Sequence, residues 1–134
     1  MKTARRVSAT LLATVALAAC SDSSDEQANA APYQWISRQY TPVPVGHVDR
    51  KDRPSSVADE ISGHTSARDR GRDGNTVYLR YREDIVSIAP YKRGSRIEVV
   101  DYRTGYQRWY GKLPSKWPHP DSNEFRGGGP GAGK

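Results

Sequence analysis

The most reactive side chain of this 134-residue sequence belongs to Cys20, because its thiol is the only soft nucleophile present. It directly follows Leu17-Ala18-Ala19, and small residues before a cleavage point fit the binding pocket of a signal peptidase. Upstream, residues 7–17 carry no charge and are rich in Ala, Leu and Val. This run is too short for a bilayer-spanning helix, which needs roughly 20 residues. With the basic segment 2–6 before it, the run predicts a secretory signal peptide.

The segment that ends at Cys20 resembles a bacterial lipobox. The resemblance implies that diacylglycerol is attached to the Cys20 sulfur through a thioether and that residues 1–19 are removed as the signal peptide. An ordinary signal peptide with an incidental cysteine is the alternative. Two or three acyl chains bind a membrane far more strongly than one myristoyl chain, whose affinity is marginal. We therefore expect a protein anchored by diacylglyceryl-Cys20 on the outer, extracytoplasmic face of the cell membrane. Arg5-Arg6 leaves twin-arginine export open beside the general secretory route.

The charge of the chain limits its partners. The formal net charge is +6, and a hydrophobic fraction of 35% with a mean hydropathy of -0.83 excludes a polytopic membrane protein. The single cysteine excludes an internal disulfide framework. Positive charge attracts anionic lipids and envelope polymers within a Debye length, about 8 Å at physiological salt. A solvated basic face is the alternative, and export from the cell excludes nucleic acid as a partner.

Composition divides the exported chain into a tether, a domain and a tail. Residues 20–31 contain no large apolar side chain, which predicts a lipidated, flexible tether. Residues 32–117 contain the apolar residues needed for a core, and we expect one small domain there. Residues 118–134 are rich in Pro and Gly, which predicts a disordered tail.

Three successive segments are predicted to be strands. Apolar and polar residues alternate over 75–82, and further β-forming runs follow at 85–91 and 96–102. The short loops between them are typical of an antiparallel meander. Residues 43–48 form an edge strand or none, because Pro42 and Pro44 cannot donate hydrogen bonds. Residues 64–74 are predicted to be a polar loop.

Helical spacing of apolar residues predicts two helices, over residues 32–40 and 54–63. A third helix is favoured over 101–111, where a strand is the alternative. We expect an α+β fold in which a small three-stranded antiparallel meander packs one face against these two or three short helices.

Three phrases of the sequence occur together in one known family: Ser56-Val57-Ala58-Asp59-Glu60-Ile61; Tyr78-Leu79-Arg80-Tyr81 with Asp84-Ile85-Val86; and Gly94-Ser95-Arg96-Ile97-Glu98-Val99 before Asp101-Tyr102-Arg103. Through them the chain resembles a domain-of-unknown-function family, number forty-two forty-seven, of small Gram-positive lipoproteins. The resemblance covers roughly residues 33–110. It implies an extracytoplasmic lipoprotein and brings no known activity, cofactor or catalytic residue. The arginine-rich composition suits an actinobacterial member.

The sequence itself predicts no catalytic residue, no metal site and no cofactor. His47 lies near Asp49 and Asp52, but the spacings that zinc sites use are absent. There is also no Gly-x-Ser-x-Gly motif for a serine nucleophile.

One group of residues offers a possible binding surface. We call it the aromatic–basic set; it consists of Arg103, Arg108, Trp109, Tyr110, Lys112 and Trp117. Aromatic faces stack on sugars, and arginines bind carboxylate or phosphate in a forked geometry. The alternative, which we favour for Tyr102, Tyr106 and Trp109, is that the rings of this region belong to the core. Trp117 is expected to be the most exposed ring.

Two functions remain possible. The first is a non-enzymatic binding or accessory module at the cell envelope, whose partner is an envelope protein or an anionic polymer. The second is an envelope hydrolase or transferase with an unrecognised active site, which requires a concave pocket holding a carboxylate or histidine of shifted pKa.

Overall fold

The computed structural model describes residues 29–125. The predicted signal peptide, Cys20 and most of the predicted tether lie outside the described residues, as do residues 126–134 of the predicted tail.

The described chain forms three helices and one six-stranded antiparallel sheet. The helices are α1 (Tyr33–Gln39), α2 (Pro54–His64) and α3 (Tyr102–Arg108). The strands are β1 (Thr41–Pro42), β2 (His47–Asp49), β3 (Asp69–Asp73), β4 (Thr76–Arg80), β5 (Asp84–Tyr91) and β6 (Gly94–Asp101). Their order across the sheet is β1-β2-β6-β5-β4-β3. The α+β class and all three helices are confirmed.

The predicted meander is the centre of this sheet, as β4, β5 and β6. The prediction of only three strands is wrong, because β1 and β2 extend the sheet on one side and β3 on the other. Strand β3 was expected to be part of a loop, since its sequence DRGRD contains no large apolar residue. It forms because it hydrogen-bonds to the apolar strand β4 as an edge, where charged side chains face solvent.

Both faces of the sheet are covered by other parts of the chain, whereas the sequence analysis predicted that only one face is covered. On one face, α1 and α2 pack Ile36, Val57 and Ile61 onto the alternating residues of β4, β5 and β6, and we call this the main core. The opposite face carries α3 and the chain after it, where Tyr102 and Trp117 pack against Tyr78 and Ile85. We call this second group the aromatic core.

The packed region is wider than the predicted domain of residues 32–117. At its start, the Arg82 amide donates to the Asn29 carbonyl at 3.0 Å, and Ala31 packs against the main core. At its end, the Tyr102 hydroxyl donates to the Pro118 carbonyl at 2.7 Å, and the Phe125 ring stacks on Tyr102 at 4.4 Å. Residues 118–125 are therefore part of the folded domain, which corrects the predicted start of the tail.

Candidate functional site

Trp117 is buried, which corrects the expectation that it is the most exposed ring. Only 2% of its surface is accessible, and its indole N–H donates to Asp69 Oδ2 at 2.9 Å. The space comes from Gly71 in β3, where a Cβ atom would lie 2.5 Å from Pro114 Cδ and 3.6 Å from the Trp117 ring. Trp117 therefore closes the aromatic core and cannot serve as a binding surface.

The remaining members of the aromatic–basic set are mostly engaged within the protein. Arg103 pairs with Asp121, and Arg108 pairs with Glu98 at 3.0 Å. Trp109 is half-buried, with its ring 5.4 Å from that of Tyr78. Tyr110 and Lys112 are exposed.

The expectation that the rings of this region belong to the core is confirmed for Tyr102, which is buried. Tyr106 and Trp109 are half-buried against it. A cavity of 320 Å³ lies beside Tyr106 and Tyr110, and its lining contains no charged side chain.

A second basic region forms where three connections meet at one end of the sheet. These connections are residues 50–53, 74–75 and 92–93. We use the name hairpin end for these connections together with the residues directly next to them. Its centre is closely packed, because a Cβ on Gly94 would lie 1.9 Å from the Asp49 carbonyl oxygen. The Ser95 hydroxyl also donates to the Asp52 carbonyl at 2.6 Å. The β5–β6 turn is thereby fixed against the loop that leads into α2.

Positive charge dominates the hairpin end. Its exposed cations are Arg50, Lys51, Arg53, Arg72, Lys92 and Arg93. Its carboxylates are Asp49, Asp52 and Asp73. Asp49 Oδ1 accepts the amides of Lys51 and Asp52 at 2.8 and 2.7 Å, so this carboxylate shapes its own loop. Among residues 29–125, none of the six cations forms an ion pair.

Two cavities flank the tip of the β5–β6 turn and share Arg93 and Gly94. The first, of 460 Å³, also has Val43, Val48, Asp49, Arg50, Tyr91 and Lys92 in its wall. The second, of 320 Å³, also has Arg53, Pro54, Ser55, Arg72, Asn75 and Pro90. The first cavity is partly apolar, whereas three arginines and no acidic residue line the second.

The opposite end of the sheet is where the described chain begins, and we call it the entry end. Asp84 begins strand β5 there, next to Glu83. Burial, together with the negative charges of Glu83 and Asp101, raises the pKa of Asp84 above its usual value. Strand β5 has 8 residues between the two ends, which is about 25 Å at roughly 3.3 Å per residue.

The positions of histidine and acidic residues can be compared with the cavities. Within residues 29–125 no three His, Cys, Asp or Glu side chains are arranged to hold a metal ion. His47 is buried, with its ring 5.9 Å from that of Tyr33. The three cavities described above contain no histidine, and their only carboxylate is that of Asp49.

A comparison with family models matches residues 12–134 to the family described as "Domain of unknown function (DUF4247)". The chain belongs to the DUF4247 family. The family resemblance seen in the sequence is thus confirmed, and the match extends beyond the motifs at both ends. No curated protein and no solved structure matches the chain. In the part of this DUF4247 protein that the structure describes, no helix has the length and apolar character to cross a bilayer.

The hairpin end was missed in the sequence because its cations are scattered between residues 50 and 93. A signal was nevertheless present. In an antiparallel meander, alternate connections lie at the same end of the sheet. Arg72 precedes the predicted strand 75–82 and Arg93 follows the predicted strand 85–91, so an antiparallel arrangement places both arginines at the same end of the sheet. The position of Arg53 depends on where α2 packs, which the sequence does not show.

Proposed function

We propose that this protein is a lipid-anchored module on the extracytoplasmic face of the cell membrane that binds an anionic partner of the envelope through its hairpin end. The observation that carries this proposal is the convergence on two adjacent cavities of cations that form no ion pair among residues 29–125. Cations on a concave surface raise the local concentration of an anionic ligand. The aromatic–basic set is a weaker candidate, since its two arginines are already neutralised by carboxylates.

The anchor is proposed at Cys20, whose sequence context fits lipid attachment. A tether of residues 20–28 covers at most about 32 Å when fully extended. It joins the entry end, about 25 Å from the hairpin end. A domain that stands upright on this tether presents the hairpin end to envelope components, so we propose such a component rather than the lipid surface as its partner.

The anchor is tested by growing cells that express the full chain with a palmitate analogue. The wild type and a Ser21→Ala control should be labelled, and Cys20→Ser should not. Labelling of Cys20→Ser, or an unmodified thiol in the intact mass of the native protein, would rule out the lipid anchor.

The binding surface is tested with two triple variants that remove the same charge. Arg53→Ser/Arg72→Ser/Arg93→Ser alters the hairpin end, and Arg103→Ser/Arg108→Ser/Lys112→Ser serves as the matched control. The assay is salt-dependent retention of the native protein, held in neutral detergent, on anionic envelope material. Three lost contacts of about 1 kcal/mol each correspond to roughly a hundredfold weaker binding. We expect this loss for the hairpin-end variant only, and equal retention of both variants would contradict the proposal.

A further inference from the structure

We infer that the hairpin end binds an extended phosphodiester polymer whose polyol or sugar units carry free hydroxyl groups. The polymer lies across both cavities and contacts Arg93, which lines the two of them. This inference rests on the proposed function and names the ligand class of the same surface. Each cavity is comparable in volume to a small-molecule site. Because the two share Arg93 and Gly94, one chain can cross the tip of the β5–β6 turn and occupy both.

The second cavity has the donors that a phosphate needs. Arg53, Arg72 and Arg93 line it, and planar guanidinium groups bind phosphate oxygens through paired N–H donors. Arg72 Nε donates to the Gly74 carbonyl at 3.0 Å, so a phosphate would contact the terminal N–H groups of this side chain. Ser55 and Asn75 add neutral polar side chains to the same wall. No carboxylate lines this cavity to compete with an anionic group for the arginines.

The first cavity is suited to the part of the polymer between two phosphates. Val43, Val48 and Tyr91 give it an apolar wall, which a bare inorganic anion would leave uncovered. The Tyr91 ring is 36% exposed, and its centre lies 5.4 Å from Lys92 Nζ and 5.3 Å from Arg96 Cζ. A polyol or sugar that packs on the exposed part of this ring therefore lies beside two cations.

Asp49 argues for hydroxyl groups in the same cavity. Its carboxylate lines the wall and would repel a phosphate placed directly against it. Both loop amides donate to Oδ1, and among residues 29–125 no hydrogen bond reaches Oδ2, so this oxygen can accept one from a hydroxyl. Arg50, Lys92 and Arg93 around it balance the charge of a flanking phosphate. An alternating phosphate–polyol chain matches this wall better than polyphosphate does.

The experiment is titration of the native protein, in neutral detergent, with probes that separate these features. The probes are inorganic phosphate, glycerol-phosphate oligomers of one, two and ten units, polyphosphate, polygalacturonate, oligodeoxythymidylate, and vesicles containing phosphatidylglycerol. We expect the dissociation constant to fall at least about tenfold from one unit to two, because the second contact is intramolecular. At equal phosphate number, the glycerol-phosphate oligomer should bind more tightly than polyphosphate and oligodeoxythymidylate.

Two variants locate the binding. Arg93→Ser should weaken the two-unit and ten-unit oligomers by at least about tenfold, because it removes a contact common to both cavities. Arg103→Ser should change neither by more than about twofold, since that guanidinium is already paired with Asp121.

The possible failures are distinguishable. Binding of inorganic phosphate as tight as that of the oligomers would reduce the surface to a single-anion site and overturn the inference. Equal binding of polygalacturonate would overturn phosphate recognition, and equal binding of polyphosphate or oligodeoxythymidylate would overturn the polyol contact. Vesicle binding without oligomer binding would identify the membrane as the partner instead. If no anionic probe binds, the proposed function itself fails.

Discussion

The aromatic–basic set and the hairpin end contain similar cations in different surroundings. In the first, Arg103 and Arg108 lie against carboxylates, and Trp117 is buried near Gly71 of the edge strand β3. In the second, Arg53 and Arg93 line open cavities and form no ion pair among residues 29–125. The difference indicates that the first region stabilises the domain and the second is available to a ligand. Mutations should therefore separate stability from binding.

The largest effect on stability is expected for Trp117→Ala. Removing this buried indole empties the aromatic core and leaves Asp69 without one of its donors. We expect the free energy of unfolding to fall by about 3–5 kcal/mol, as for other large buried aromatic residues. Urea unfolding of the purified protein measures it. Trp117→Phe, which retains a ring but no N–H, should lie between Trp117→Ala and the wild type. A loss below about 1 kcal/mol for Trp117→Ala would show that this region is not structural.

A smaller loss of stability is expected when a side chain is added to Gly71 of β3, which lies next to Trp117. In Gly71→Ala, the new Cβ would lie 2.5 Å from Pro114 Cδ, so the segment over the aromatic core must shift. We expect a loss of about 1–3 kcal/mol in the free energy of unfolding. Gly63→Ala is the matched control, because the site is helical and no atom of the described residues would lie within 4 Å of the new Cβ. That control should be up to about 1 kcal/mol more stable than the wild type. Equal effects of the two substitutions would exclude crowding as the cause.

The free energy of unfolding should also depend on pH, because the carboxylate of Asp69 accepts a hydrogen bond from Trp117 in the aromatic core. Burial alone would raise the pKa of this carboxyl, but hydrogen bonds from Lys116, the Arg70 amide and Trp117 outweigh it and lower the pKa. The unfolded chain therefore takes up this proton at a higher pH than the folded protein does. The stabilisation is present above about pH 4 and is lost as the pH falls through the folded value.

Asp69→Asn tests this dependence. The variant should be less stable than the wild type at neutral pH, and the difference should shrink below about pH 4. Urea titrations at a series of pH values measure it. A constant difference across the series would show that Asp69 contributes no proton-linked stability.

The smallest effects on stability are expected for substitutions of Arg108 and Arg93. These two variants compare the aromatic–basic set directly with the hairpin end. Arg108→Ser removes an exposed ion pair with Glu98 and should cost at most about 1 kcal/mol of unfolding free energy. Arg93→Ser breaks no ion pair among residues 29–125, and it should leave the free energy of unfolding within about 0.5 kcal/mol of the wild-type value. Thermal unfolding of both variants checks this. A loss for Arg93→Ser that exceeds the loss for Arg108→Ser would mean that the hairpin end is also structural.

Much of the central fold could be predicted because its signals are local. The alternation of Val77, Leu79 and Tyr81 predicts β4 with one face on the main core, and the structure confirms it. Strand β3 could not be predicted in this way. Its residues are charged, and only pairing with β4 makes them a strand.

The candidate site was even harder to predict from local sequence signals than the edge strand β3. The aromatic–basic set was chosen because its members are close together in the sequence. Nothing local reveals that Trp117 donates to Asp69, 48 positions away, or that Arg103 meets Asp121. The hairpin end likewise depends on contacts between residues far apart in the sequence, such as the hydrogen bond from Ser95 to Asp52, 43 positions away.

The sequence by itself determined the central meander, the helices and the family, because periodicity and motifs are properties of neighbouring residues. The resemblance to a lipobox at Cys20 is also local and stays a prediction. Only the tertiary structure decided which cations are neutralised and which line a cavity. The physical reason is that charge pairing and burial depend on distance in space, and the packing of two layers onto the sheet sets those distances.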